Sequence, residues 1–294
     1  MVYGLPAIAS ALGSMTITTV KVVDGQGWYV DDQRMATSGY KEKKQNEANE
    51  AIKNVLEFLK IDVVNNRLEI KFSGDLVATS GVGASAAQCT SLARALNEEF
   101  KLNLDDEKIN AAAYAGEMAY HGTPSGIDNT ASTYGGLIWF IKNLKGGKNT
   151  IDRLKSKSKM HLVIADTGIT ASTAEVVEDV RKLKEENSDK FKSIFSEYKE
   201  IAKHAKKALI KGKKDIVGAL MNQNHKLLRV MTVSGEINDK IVEIALNNGA
   251  IGAKMTGTGR GGLVIALNSD EISQEQVFNA IKNEGFSIWK TMIG

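Results

Sequence analysis

Glu117, His121 and Asp128 fall close together in the run Tyr114-Ala-Gly-Glu-Met-Ala-Tyr-His-Gly-Thr-Pro-Ser-Gly-Ile-Asp-Asn-Thr. Glu117 and His121 are four residues apart and share a helix face. Gly122-Thr-Pro-Ser-Gly then breaks that helix. Ser125 is placed to cap the next one, with Asp128 in its first turn. A carboxylate on a helix face and a second at a glycine-rich break are the parts a phosphoryl-transfer site needs. One would hold Mg²⁺, a hard cation that accepts one or two carboxylates together with phosphates; the other would take the proton of an attacking hydroxyl. Each residue also has an ordinary reading: Glu117 as a solvated helix residue, His121 as a helix-end hydrogen-bonding group, Asp128 as a partner of the helix dipole. The setting of Glu117, Ala-Ala-Ala-Tyr-Ala-Gly-Glu-Met-Ala, is small and apolar and looks buried. That tips the set toward chemistry.

Two glycine loops accompany these residues. Ser80-Gly-Val-Gly-Ala-Ser-Ala-Ala-Gln-Cys lies between a strand pattern, Leu68-Glu-Ile-Lys-Phe-Ser, and a helical pattern over 88–100. A helix start leaves its first N–H groups unpartnered and partly positive, so a turn without β-carbons there can cradle a polyphosphate. A tight packing turn explains the same residues, and neither the Rossmann nor the P-loop template fits. Gly252-Ala-Lys-Met-Thr-Gly-Thr-Gly-Arg-Gly-Gly-Leu is the second loop, read either as main chain approaching another group closely or as a glycine-rich hairpin.

The elements that must position these groups follow from periodicity. Thr16-Ile-Thr-Thr-Val-Lys-Val-Val reads as a strand, 42–60 as a helix with Ala51, Ile52, Val55, Leu56 and Leu59 on one face, and 88–100 and 106–120 as further helices. The strand Gly136-Leu-Ile-Trp-Phe-Ile-Lys closes a first half. The polar, glycine-bearing run from Lys145 to Lys159 is the expected boundary, giving domains 1–158 and 159–294. After the strand His161-Leu-Val-Ile-Ala-Asp, helices are expected at about 172–186, 189–212, 214–230 and 235–248. A strand near 262–267, a helix over 273–284 and a strand from Phe286 complete a mixed α and β chain.

At 294 residues and 43% hydrophobic the chain can bury a large core. Its net charge of +3 comes with lysines between 182 and 214 interleaved with glutamates, a solvated helix face rather than a nucleic-acid surface. The single cysteine, Cys89, excludes an internal disulfide and reads as a packed thiol; four histidines without a H-x-x-x-H pair argue against zinc. No apolar run reaches membrane-spanning length and no signal peptide opens the chain, so no membrane partner and a cytoplasmic location are expected.

These motifs resemble those of the GHMP kinases, and within them the mevalonate kinases. Gly81-Val-Gly-Ala-Ser-Ala-Ala is similar to the superfamily's G-L-G-S-S-A-A phosphate loop, and Lys254-Met-Thr-Gly-Thr-Gly-Arg-Gly-Gly to its third motif, K-L-T-G-A-G-G-G-G. Glu117-Met-Ala-Tyr-His-Gly-Thr-Pro-Ser-Gly-Ile-Asp-Asn resembles the E-x-x-x-H-G-x-P-S-G-x-D-N of mevalonate kinases, and the likeness spans nearly the whole chain. It implies an α+β, two-domain fold: an N-terminal α/β domain of ribosomal-protein S5 type and a C-terminal ferredoxin-like α+β domain. It also implies ATP and Mg²⁺ as cofactors, mevalonate as substrate and a homodimer as a common assembly. Asp128 would be the base at the C5 hydroxyl, Ser85 and Glu117 the Mg²⁺ holders, and Thr79, Ser80, Gly81, Val82, Gly83, Ala84 and Ser85 the phosphate wrap. Gly257, Thr258 and Gly259, in the loop 256–262, would border the same site from the second half. His121 would support it. Thr170, Ser172 and Thr173 are the candidates for mevalonate's carboxylate.

Two departures stand out. Arg260 takes a position where glycine is usual, either to reach a phosphate or to face solvent. The chain also begins Met1-Val-Tyr-Gly-Leu-Pro-Ala-Ile, inside the family's G-K-x-x-L-x-G-E-H-A-V-V-Y-G-x-P-A-I motif. Its lysine, glutamate and histidine have no counterpart, and a lost preorganised contact of that kind typically costs ~10²–10³ in turnover. The expectation is a shortened form of a working kinase or an impaired one. The alternatives are another GHMP kinase acting on a sugar, homoserine or phosphomevalonate, or a nucleotide- or metabolite-binding homologue without catalysis.

Overall fold

A computed structural model describes residues 2–79, 81–169 and 171–294. In chain order the elements are β1 (Ala7–Ser10), β2 (Thr16–Val23), β3 (Gly27–Asp32), α1 (Tyr40–Lys43), α2 (Gln45–Phe58), β4 (Arg67–Gly74), α3 (Ala84–Glu99), α4 (Asp106–His121), α5 (Ile127–Tyr134) and β5 (Leu137–Ile141). There follow β6 (Thr150–Leu154), β7 (Met160–Asp166), α6 (Thr173–Glu186), α7 (Ser188–Lys211), α8 (Lys214–Val230), α9 (Glu236–Asn247), β8 (Gly252–Thr256), β9 (Leu263–Asn268), α10 (Glu271–Asn283) and β10 (Ser287–Ile293).

The chain groups into two compact units, Ser14–Gly135 and Met1–Gly13 with Gly136–Gly294. In Ser14–Gly135 a three-stranded sheet, order β2-β4-β3, pairs β2 antiparallel and β3 parallel to β4. The parallel pair requires a crossover, which α1 and α2 supply. Alternation along β4 turns Leu68, Ile70 and Phe72 inward. They meet Ala51, Ile52, Val55 and Leu56 of α2, Cys89, Leu92, Ala93 and Leu96 of α3, and Ile109, Ala112 and Ala113 of α4. Burying side chains of this size contributes about 1.5–3 kcal/mol each for the larger ones. One core thus fixes the helices that carry Ser85, Glu117 and Cys89.

The other unit carries a four-stranded antiparallel sheet in the order β10-β7-β9-β8. Numbered within that sheet the order is 4-1-3-2 with helices between, the ferredoxin-like arrangement. Val163, Ala165, Val264 and Ala266 pack on Ile241, Val242 and Ala245 of α9 and Val277 and Ile281 of α10. Leu162, Met160 and Leu267 pack with Ala202 and Leu209 of α7, Val217 of α8 and Leu137 and Trp139 of β5.

Most expected elements form within a few residues, with informative differences. The polar run 145–159 holds a strand, β6, paired with β5 through Leu137↔Leu154 to Ile141↔Thr150. β5 also pairs with β1, and the Tyr198 hydroxyl on α7 donates to the Pro6 carbonyl at 2.8 Å. Those ties draw β1, β5 and β6 into the unit of the later sheet, so the units divide at 13/14 and 135/136, whereas the expected boundary was 158/159. The helix expected over 42–60 is interrupted at Lys44 into α1 and α2. Gly126, at φ 86°, is the residue at the N-cap of α5, not Ser125; the Ser125 hydroxyl accepts the Ile127 N–H at 3.3 Å. Asp128 sits in the first turn of α5.

Candidate active site

Gly81 and Gly83 both have left-handed φ, 91° and 70°, a conformation that costs other residues energy. Gly83 is the N-cap of α3, whose first turn has no side-chain cap and no acidic residue. Its N–H groups therefore face outward with the positive end of the dipole behind them, the condition for holding an anion. A Cβ added at Gly83 would lie 3.9 Å from that of Asp128, so this loop runs beside the carboxylate. Thr79, at the loop's entrance, is buried, and its hydroxyl accepts from that of Thr37 at 3.4 Å.

Glu117 on α4 is 1% exposed. Burial pushes its carboxyl up to about 7; the neighbouring Ser85 hydroxyl pulls the other way, and the Asp128 charge adds to the rise. Its Oε1 is buried and has no hydrogen-bond partner. His121 Nε2 lies 3.8 Å from the other oxygen, with the ring half exposed. Asp128 is open to water at its surface, yet the protein mass around it raises its carboxyl above the ordinary range, an effect that His121 opposes.

A buried carboxylate oxygen without a partner costs about 1–3 kcal/mol or more, and a hydroxyl plus a carboxylate are hard oxygen donors suited to Mg²⁺. The residues present therefore fit that ion. Among the described residues no three His, Cys, Asp or Glu side chains converge closely enough to hold a metal ion by themselves. A cation here would complete its shell from phosphates and water.

A cavity of about 320 Å³ opens beside Ser85, between Asp32, Arg34, Tyr40, Phe72, Gln88 and Tyr120. The sequence reading missed Arg34 and Gln88. The available signal was Gln88 itself, a polar side chain in the otherwise small and apolar start of α3, which must find a partner when buried.

In the other unit the loop 256–262 is shaped by four left-handed glycines, Gly257, Gly259, Gly261 and Gly262. Asn238 on α9, fully buried, accepts from Gly261 N and donates to Gly261 O, both at 2.9 Å. Arg260 also adopts a positive φ, 50°. Its guanidinium meets Asp179 of α6 at 2.6 Å and donates to the Thr232 carbonyl at 3.0 Å. Neither alternative for Arg260 describes it, because an ion pair and a carbonyl occupy the side chain. The Thr258 and Thr173 hydroxyls share a hydrogen bond of 2.8 Å, and Ser172 caps α6 by accepting from Glu175 N. Lys254 on β8 donates to the Met255 carbonyl, and burial pushes its amine down to about 8. His225, buried on α8, faces Asp239 at 3.1 Å, a pair the sequence did not single out.

The structure thus gathers Thr79, Gly81, Val82, Gly83, Ala84, Ser85, Glu117, His121 and Asp128 in one unit, whereas Gly257, Thr258 and Gly259 belong to the other. Ser80 and Thr170 lie outside the described residues. Cys89 is buried and burial raises its thiol strongly, which suits packing and not nucleophilic attack.

The family model described as GHMP kinases N terminal domain matches residues 46–136, and that of the GHMP kinases C terminal matches residues 205–287. The mevalonate kinase of Pyrococcus horikoshii is 30% identical, over 97% of this chain and 88% of that protein. That of Saccharolobus solfataricus is 28% identical, over 92% and 86% respectively. Among solved structures, L. major mevalonate kinase in complex with R-mevalonate superposes with a TM-score of 0.95 at 40% identity, covering 99% of this chain and 90% of that one. With both halves matched by the family's models and nearly full-length relatives at this identity, the chain belongs to the mevalonate kinase family of the GHMP kinases.

Proposed function

We propose that this protein transfers the γ-phosphoryl group of ATP to the C5 hydroxyl of mevalonate, releasing 5-phosphomevalonate and ADP. The observation that carries the reading is the cluster of Ser85, Glu117 and Asp128 at the start of α3, with Gly83 beside Asp128. The mevalonate bound in the L. major relative supports the choice of alcohol.

Main-chain N–H groups of residues 81–85 bind the phosphates, and the cavity beside Ser85 has room for part of the nucleoside. Mg²⁺, held by Ser85 and Glu117, would neutralise phosphate charge and align the leaving group. Asp128 accepts the proton of the C5 hydroxyl as that oxygen bonds to the γ-phosphorus and the bond to the β–γ bridging oxygen breaks. A raised carboxyl pKa brings Asp128 nearer to the proton affinity a general base needs near neutral pH. His121, near both carboxylates, favours their charged forms when protonated.

The test is the purified chain with ATP, Mg²⁺ and mevalonate, followed by ADP release and by the mass of the product. Phosphomevalonate forming in step with ADP is expected. Turnover of homoserine, a sugar or phosphomevalonate in place of mevalonate would overturn the substrate, and nucleotide binding without transfer would overturn the reaction.

A further inference from the structure

We propose that Arg34 and Gln88 are positioning residues that hold the 81–87 phosphate loop in its anion-binding shape before nucleotide arrives. The inference rests on the ATP-dependent reading above.

Arg34 is a guanidinium at 6% exposure, an expensive burial unless fully paired. Its Nε and Nη2 fork onto Asp32 at 2.9 and 2.7 Å, and Nη2 also donates to Gln88 Oε1 at 2.8 Å. The Phe72 ring lies 5.3 Å from the guanidinium carbon. Lys41 Nζ ties the same segment by donating to the carbonyls of Asp32 and Arg34.

This short stretch grips the phosphate loop at both ends. At the entrance, Ala78 N donates to the Met35 carbonyl at 2.8 Å and Thr37 N donates to the Ala78 carbonyl at 3.3 Å. Beyond the loop, Gln88 lies one turn after Ser85 on α3, where Arg34 holds its amide. The same Gln88 Oε1 accepts from the Tyr120 hydroxyl at 3.4 Å, on the last turn of the helix that carries Glu117. Between the two grips stand Gly81 and Gly83, which have no side chains to fix their own conformation. A loop of that kind would otherwise lose its freedom when ligand binds and weaken affinity by that amount. Binding it from outside at its two ends preorganises the main-chain donors.

The test is calorimetric titration of the full chain with MgADP and, separately, with mevalonate. Gln88→Leu keeps the volume and leaves Arg34 paired with Asp32, so the fold should persist. Its MgADP Kd is expected to rise about tenfold, the scale of one charge-assisted hydrogen bond, with mevalonate Kd changed less than about twofold. Gln88→Glu restores an acceptor for Arg34 and should bring MgADP affinity back. Unchanged MgADP binding in Gln88→Leu, equal weakening of both ligands, or failure of Gln88→Glu to restore affinity would each overturn the proposal. If the unmodified chain binds no MgADP, the ATP-dependent reading falls and this one with it. If it binds MgADP but does not phosphorylate mevalonate, the substrate or the transfer reaction fails while nucleotide binding stands, and the Gln88 comparison still decides.

Discussion

At the residue scale, two carboxylates at one site have different environments, and the proposed roles rest on that difference. Asp128 is open to solvent and to a hydroxyl, whereas Glu117 is sealed in with an oxygen that lacks a partner. Asp128→Asn keeps shape and polarity but removes the proton acceptor. It should lower kcat by about 10²–10⁴ while MgADP affinity in a binding titration stays within a few fold; preserved turnover would exclude Asp128 as base. Glu117 makes a separate prediction through its carboxyl pKa of about 7. Between the ordinary carboxylate value and 7 the folded protein holds a proton that the unfolded chain has released. Stability from this group is therefore complete below about pH 4.5 and is lost as pH rises through 7, by an amount of order 3 kcal/mol at most. Urea unfolding in EDTA from pH 4.5 to 8 should show that decline, and Glu117→Gln should flatten it. Equal slopes in the two proteins would mean that Glu117 ionises freely.

Elements place those residues, and here helix packing leaves little slack. Gly116 lies in α4 directly before Glu117, where a Cβ would come within 2.6 Å of Cys89 Sγ on α3 and 2.9 Å of a Val55 methyl on α2. Three helices meet at that point with room for a hydrogen only. Gly116→Ala should improve local helix propensity by up to about 1 kcal/mol, yet overpacking should cost about 1–3 kcal/mol. The net result is a lower urea midpoint and a displaced Glu117, read as weaker Mg²⁺ dependence of nucleotide binding. A gain in stability would show that the helices part without strain. Periodicity made α3, α4 and α7 to α9 legible because each has a buried stripe at helical spacing. β6 was not legible, since its side chains are mostly exposed and its pairing with β5 is written in main-chain hydrogen bonds. α5 was legible as a short helix with Asp128 in its first turn, but its start was not, because a left-handed glycine, Gly126, takes the cap expected of Ser125. Ser85, Glu117 and Asp128 were legible as candidates through their motifs. Arg34 was not, because its importance comes from Gln88, 54 residues away.

For the whole molecule, charge and fold leave specificity to close contacts. A net charge of +3 spread over 294 residues gives little long-range attraction for a polyphosphate. Under the proposed function, recognition would then come from main-chain donors of the phosphate loop and from the Ser85 and Glu117 oxygens through a cation. Binding of this kind stabilises only the folded state, by about 2.7 kcal/mol when ligand is at 100 times its Kd. MgADP at that excess should therefore raise the thermal midpoint by several degrees. ADP with EDTA should raise it far less, because Glu117 then keeps its unpartnered oxygen and opposes the phosphate charge. In Glu117→Gln the gap between MgADP and ADP with EDTA should close, since the carboxylate that makes the cation worthwhile is gone. A shift that is the same with and without Mg²⁺ in the unmodified chain would place the cation elsewhere, and would leave Glu117 as a structural acid held at high pKa by burial alone.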